Sequence, residues 1–332
     1  MPNLVTRRAL LLGGLVTLSA CGSRTNTNAP SPTTETVWVG SATPATIADT
    51  AAAPTRAAAA PERTLKIGAI PDAAREKLQQ TNQALATYLA KALGVKVDYL
   101  PVHDHASAVT KFRHGDLDLV WFSGLTGVQA RLQTPGSSVL AQRDIDDDVH
   151  SVFIVNASTG LSPFAGVADL TELKGLRFTF GSEASTSGRL MPQFFLDQAG
   201  VDPRTDFSGT AGFSGSPDKT VDLVAAGTFQ AGVLDEQVWK RRSADGSIDS
   251  AKVVQVLRSP GYHDYHWIAG PDIDRRLGAG FTARIKAALL GAAGDTEGGK
   301  ALGLLGAKAF VPTSSDNYVQ IEAIGRTLGL IS

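Results

Sequence analysis

The chain has 332 residues, with 31 basic residues against 32 acidic ones and a formal net charge of -1. Balanced, interspersed charge leaves no electrostatic footprint for nucleic acid, so that class of partner is excluded. A single cysteine, Cys21, excludes a disulfide framework, a thiolate metal site and a cysteine nucleophile anywhere beyond it.

The first element is an export signal. Thr6-Arg7-Arg8 supplies positive charge, residues 9–17 form an apolar run, and Leu18-Ser19-Ala20-Cys21 closes it with small residues. The run is too short for a spanning helix, which needs about 20 apolar residues. Leu-Ser-Ala-Cys resembles the bacterial lipobox, which implies cleavage after residue 20 and lipid on Cys21. Arg7-Arg8-Ala9-Leu10-Leu11 also resembles a twin-arginine signal, and an ordinary positive n-region reads equally well. Residues 21–62 are rich in Thr, Ala, Pro and Ser and nearly free of charge, so they cannot bury enough surface to offset ordering entropy. They are expected to be a tether that holds the folded part on the order of 35 Å from an extracytoplasmic membrane face.

From residue 64 the pattern alternates. Strand 64–70, helix 75–93 stopped by Gly94, strand 95–100, helix 106–113, strand 117–122, helix 124–132 and strand 138–142 follow in order. An acidic link then leads to strand 151–156, strand 177–180, helix 188–198, strand 207–213, helix 218–226, strand 229–234 and strand 253–257. Helices close the chain at 281–290, 298–305 and 317–328. Such alternation predicts an α/β fold of parallel sheets with helices on both faces, here in two lobes around a cleft. The expected division is 63–145 with 258–332 in one lobe and 146–257 in the other, hinged near 143–150 and 258–264.

The chemistry concentrates in Gly181-Ser182-Glu183-Ala184-Ser185-Thr186-Ser187-Gly188, between a predicted strand and a predicted helix. Hydroxyls and free backbone N–H groups at a helix start form a cradle for an oxyanion. Simple N-capping is the plainer reading of the same residues. Trp121-Phe122 ends a strand on the side where α/β folds take ligands, so Phe122 and Ser123 are expected at the cleft.

Leu117-Asp118-Leu119-Val120-Trp121-Phe122, Ser185-Thr186-Ser187-Gly188-Arg189-Leu190-Met191-Pro192 and Gln230-Ala231-Gly232-Val233 resemble the periplasmic binding proteins of phosphate, phosphite and phosphonate ABC transporters. The likeness runs in order over nearly all of 65–330, near the branch described as selenate-binding. It implies a two-lobed fold of the periplasmic-binding-protein type (type II) that closes on its ligand and delivers it to a membrane permease and its ATPase. It also implies no cofactor, no catalysis and a monomer. The resemblance carries Ser185, Thr186, Ser187 and Gly188 over as the oxyanion cradle. Glu236 and Asp264 stand where relatives that take aminoalkyl phosphonates place carboxylates against the ligand's ammonium group. The sequence departs at His105 and Val149, where tyrosines are usual, and at Pro217, where a histidine is common; His150 and His266 are candidate replacements. A carboxylate beside the cradle favours an oxyanion that keeps a proton over sulfate or selenate.

Three other classes fit fragments of the chain. His103 with His105 and His263 with His266 could converge on a metal, although nothing in the sequence brings the pairs together. Gly212-Phe213-Ser214-Gly215-Ser216 resembles a nucleophile elbow lacking its last glycine, with Asp235 and His266 following in hydrolase order. A tethered sensor would use the same fold and pocket as a transport protein.

Overall fold

The structure, a computed structural model, describes residues 63–72 and 74–331. The expected signal peptide, Cys21 and the expected tether lie outside the described residues.

The first lobe opens with β1 (Thr64–Ala69), α1 (Arg75–Leu93), β2 (Lys96–Tyr99), α2 (His105–Arg113), β3 (Leu119–Phe122), α3 (Gly124–Gln133) and β4 (Ser138–Arg143). α1 stops where Gly94 turns left-handed at φ 68° and its N–H caps Ala90, a conformation that glycine adopts without strain. The second lobe holds β5 (Ser151–Asn156), β6 (Phe178–Phe180), a π-helical turn (Thr186–Leu190) running into α4 (Met191–Gln198), β7 (Gly212–Phe213), α5 (Pro217–Ala225), β8 (Ala231–Asp235), α6 (Glu236–Ala244) and β9 (Val253–Arg258). The chain then returns through β10 (His266–Ala269), α7 (Ile273–Leu277), α8 (Phe281–Gly291), α9 (Thr296–Leu304), β11 (Phe310–Pro312) and α10 (Val319–Thr327).

Two sheets result, ordered β11-β4-β10-β3-β1-β2 and β7-β6-β8-β5-β9. The two-lobed α/β arrangement is as expected, but the sheets are mixed rather than parallel. β1 runs parallel to β2 and β3, whereas β10 is antiparallel to β3 and β4. In the second sheet β6 is parallel to β7 and β8, and β5 is antiparallel to β8 and β9. The physical reason is the connection: β5 follows β4, and β10 follows β9, without an intervening α-helix, so the chain enters the other sheet directly. The predicted strand 207–213 shrinks to Gly212–Phe213, because Phe207 leaves the sheet to stack on Phe178 at 4.5 Å and Gly209 turns the chain at φ 82°.

The two crossings run side by side. Val149 and Tyr262 exchange backbone hydrogen bonds of 2.9 and 3.0 Å, and the Asp264 N–H donates to the Asp146 carbonyl at 3.0 Å. One core fills the first lobe around Leu65, Ile67, Phe112, Phe122 and Trp267. The core of the second gathers Phe153, Phe178, Phe180 and Leu190 together with Leu125 and Val128 of α3. The C-terminal stretch, expected with the first lobe, contributes Tyr318, Ile321, Ile324 and Ile331 to this second core. α10 is fastened to α3 by an Arg131–Glu322 ion pair at 2.8 Å.

Candidate functional site

The cradle segment forms where the sequence places it, at a helix start, but the first turn is π-helical. Ser185 caps that turn, its Oγ accepting from the Gly188 N–H at 3.0 Å. The turn packs onto the strand end behind it: the Gly181 N–H donates to the Gly188 carbonyl at 2.8 Å. A Cβ at Gly188 would stand 3.1 Å from the Gly181 Cα, a tight contact that the glycine avoids.

The next two hydroxyls face the other lobe and the strand ends. Thr186 Oγ1 accepts from the Leu125 N–H at 2.9 Å, which joins the cradle to the first turn of α3. Asp264 Oδ1 accepts from the neighbouring Gly124 N–H at 2.7 Å. The hydroxyl-rich turn and the start of α3 are therefore joined: the Gly124 and Leu125 N–H groups are taken by Asp264 and Thr186, and the Gly188 N–H by Ser185 Oγ. The hydroxyls of Thr186 and Ser187 face the carboxylates of Asp264 and Asp235, respectively. Burial pushes the Asp264 carboxyl well above the usual carboxylate range and raises that of Asp235.

A cavity of about 440 Å³ opens between the lobes beside this cluster. Asp72, Trp121, Arg143 and Tyr265 line it from the first lobe and the crossing strands, and Asp235 lines it from the second. Burial raises the Asp72 carboxyl to about 6, partly offset by the charge of Arg143. The Arg143 guanidinium lies over the stacked rings of Trp121 and Tyr265, 5.4 and 5.1 Å from their centroids. Sequence reading missed Asp72 and Arg143 as cleft residues, and placed Asp235 only as the acid of a hydrolase order. The legible signal was position, since Asp235 is the last residue of a strand directly before a helix.

The remaining candidates are distributed around this centre. His105 opens α2, is buried, and holds Nδ1 3.4 Å from Ser182 Oγ across the cleft; burial lowers its pKa to about 4. Ser123 Oγ lies 3.0 Å from Thr126 Oγ1, and the Phe122 ring packs edge-on against Phe112 in the first core. The Glu236 carboxylate is occupied by Arg258 at 2.6 Å and Lys240 at 3.1 Å. His150 Nδ1 lies 2.7 Å from the Ser259 carbonyl, and its Nε2 is 3.1 Å from Asp148. His266 stacks on Tyr318 at 3.8 Å behind α3, against Gly127, where a Cβ would approach its ring to 2.4 Å.

The hydrolase reading loses its geometry. Ser214 Oγ bonds the Ser216 carbonyl and Thr220 Oγ1, and His266 Nδ1 pairs with the Asp264 carbonyl. Asp235 caps α6 through the N–H groups of Gln237 and Val238. Ser214, Asp235 and His266 thus do not form the relay that activates a hydroxyl.

Comparison with known proteins agrees with this layout. Residues 67–318 match the family model described as the periplasmic substrate-binding protein of phosphonate ABC transporters. A protein of Prochlorococcus marinus (strain MIT 9301), named a probable ABC transporter phosphite binding protein PhnD1, is 46% identical over 270 residues, covering 81% of this chain and 91% of its own. The solved structure of PhnD1 with methylphosphonate superposes with a TM-score of 0.78, covering 82% of this chain and all of that one. A binding protein component of an ABC phosphonate transporter from Pseudomonas aeruginosa, at 17% identity and TM-score 0.67 over 80% of this chain and 86% of its own, shares the fold. Fold, strand-end site and sequence together place the chain in the family of periplasmic substrate-binding proteins of phosphonate ABC transporters.

Proposed function

We propose that the protein captures a small phosphorus oxyanion, in the class of phosphite, phosphate and phosphonates, and hands it to the permease and ATPase of an ABC importer. Lipid on Cys21 keeps it at the extracytoplasmic face of the membrane, and it works as a monomer. The observation that carries the reading is the meeting of the hydroxyl-rich turn at Thr186 with the start of α3 at Gly124, with the Ser187 hydroxyl facing Asp235, which lines the neighbouring cavity. Neutral N–H and O–H donors in that arrangement hold an oxyanion reversibly, because no full positive charge locks it in place. The 46% identity to a protein named for phosphite binding supports the same ligand class.

Ser185, Thr186, Ser187 and Gly188 form the cradle in this reading, with Asp264 opposite. Titration calorimetry of residues 63–332 against phosphite, methylphosphonate, aminoethylphosphonate, phosphate, sulfate and selenate tests it. Micromolar or tighter binding of at least one phosphorus oxyanion is the expected result, and silence with all of them refutes the function. Ser187→Ala should weaken the true ligand by tenfold or more, since a bond to a charged group contributes about 1.5–3 kcal/mol.

A further inference from the structure

The cleft gathers carboxylates from both lobes around the guanidinium of Arg143. Asp72 follows β1, Asp146 lies on the first crossing and Asp235 ends β8, whereas Arg143 ends β4, where that crossing begins. Asp72, Arg143 and Asp235 line the same cavity. Burial pushes all three carboxyls up, and in each the charge of Arg143 is the largest influence that opposes it. Asp235 acts on Asp72 in the opposite sense, as a like charge on the other lobe.

The other cations that line the cavity are engaged elsewhere or stand in solvent. Lys240 and Arg241 on α6 pair with Glu236 at 3.1 Å and Asp218 at 2.7 Å, and Lys77 on α1 is exposed. On the returning crossing, burial raises the phenols of Tyr262 and Tyr265, which therefore stay neutral, and raises the carboxyl of Asp264 between them.

Arg143 is fixed from several sides. Nε and Nη2 form a fork with Asp146 at 2.8 and 2.6 Å, and Nη1 donates to the Leu305 carbonyl at 2.8 Å. Leu305 ends α9, where the helix dipole favours a cation. The planar face covers Trp121 and Tyr265, and the side chain is 11% exposed. A guanidinium held this firmly is a charge at a set position. Closing the lobes moves Asp72 and Asp235 out of water and toward each other, which desolvation and like charge oppose unless a cation is buried with them.

We propose that Arg143 is a positioning residue for closure: fixed at the hinge, its charge offsets Asp72 and Asp235 as the lobes come together and so keeps the ligand-holding closed form within reach. This rests on reading the cleft as an oxyanion site that closes. Without Arg143 the carboxyls of the closed form are raised further, so closing takes up protons. Closure is then favoured by acid and lost as pH rises.

Calorimetry with phosphite at about pH 6 and about pH 8 tests this, each variant being read as its ratio to wild type so that the ligand's own ionisation cancels. Arg143→Gln should weaken binding about 30-fold at pH 8 and only about threefold at pH 6. Arg143→Lys keeps the charge and should stay within about fivefold of wild type at both. Asp72→Asn added to Arg143→Gln should recover about tenfold at pH 8. Small-angle scattering should show the wild type more compact with phosphite than without it. An Arg143→Gln loss that is equal at the two pH values, a Lys variant as weak as the Gln variant, or no recovery with Asp72→Asn would each overturn the proposal, because each marks lost packing and not lost charge. A radius of gyration that phosphite leaves unchanged also overturns it. Circular dichroism checks folding. If Arg143→Gln does not fold, Asp72→Asn alone decides: it should bind phosphite at least about threefold tighter than wild type at pH 8, with an advantage that shrinks as pH falls. Unchanged or weaker binding by that variant overturns the proposal. If the wild type binds no oxyanion, the oxyanion reading itself fails; if it binds phosphite and the variants depart from these results, only the role of Arg143 does.

Discussion

Thr186 Oγ1 in the second lobe accepts a hydrogen bond from the Leu125 N–H in the first, at 2.9 Å with both groups buried. The bond joins the cradle of one lobe to the helix start of the other. In the proposed function, ligand capture and lobe closure draw on these same two segments, so a change to this bond should be read in both.

Thr186→Val keeps the shape of the side chain and removes the acceptor. The Leu125 N–H is then left buried without a partner, at a cost of about 1–3 kcal/mol. Thermal unfolding should show the loss in stability, and calorimetry a fall in phosphite affinity of about tenfold, because closure is disfavoured. Thr186→Ser restores the hydroxyl and should recover most of both. Equal loss in the Ser and Val variants would show that the methyl group, not the cross-lobe bond, is what matters.

Gly188→Ala probes the cradle from behind. The added Cβ meets the Gly181 Cα at 3.1 Å, and a backbone atom cannot step aside as a flexible side chain can. Overpacking of this kind costs about 1–3 kcal/mol. The turn should shift away from β6, pulling Ser187 out of register with Asp235, and ligand affinity should drop along with the melting temperature. An alanine variant with wild-type affinity and stability would mean that the turn relaxes without moving its hydroxyls.

Much of this site was legible because local rules and tertiary structure agree on it. Three hydroxyl residues before a glycine, after a buried strand, announce a helix start, and the segment 185–188 forms one, capped by Ser185. Strand β10 was illegible for the opposite reason. Its four residues, His266–Ala269, follow a Tyr-His-Asp-Tyr run that reads as a loop, and they become a strand only because β3 and β4 leave a slot between them. Asp72 and Arg143 were missed as cleft residues because their importance lies in which groups face them across the cleft, not in their neighbours along the chain. Phe122 shows the converse: expected at the cleft because it ends a strand, its ring turns into the core against Phe112.

His266 offers a test in pH. Burial lowers its pKa from 6.5 to about 4, so the folded protein resists the proton that the unfolded chain accepts. The unfolded state therefore binds more protons between about pH 4 and 6.5. Its contribution to stability is intact above that window and is lost as pH falls through it. Asp72, raised to about 6, acts in the opposite sense over much of the same range, so the total curve is a poor readout. The difference between wild type and His266→Phe isolates the histidine, since Phe retains the stacking on Tyr318. The wild type should lose up to about 3 kcal/mol relative to the variant between pH 7 and pH 4, measured by urea unfolding. A difference that stays constant with pH would show that His266 titrates normally.

Cys21→Ser separates location from binding. Cys21 lies outside the described residues, and the residues that line the cleft fall between Ala69 and Gly306. A lipid chain contributes about 0.8 kcal/mol per buried methylene, so a diacylglyceryl group holds its protein at the membrane nearly permanently, and a serine hydroxyl accepts none. Fractionation of cells should find the wild type with membranes and the variant released in soluble form outside the cytoplasm. Phosphite affinity of the released protein should match that of the wild type within about twofold, since changes far from a site add independently. Oxyanion uptake by intact cells should nevertheless fall, because a freed binding protein diffuses away from its permease while a tethered one stays within reach. Retention of the serine variant in the membrane fraction would remove the lipid anchor from the scheme and leave the cleft untouched.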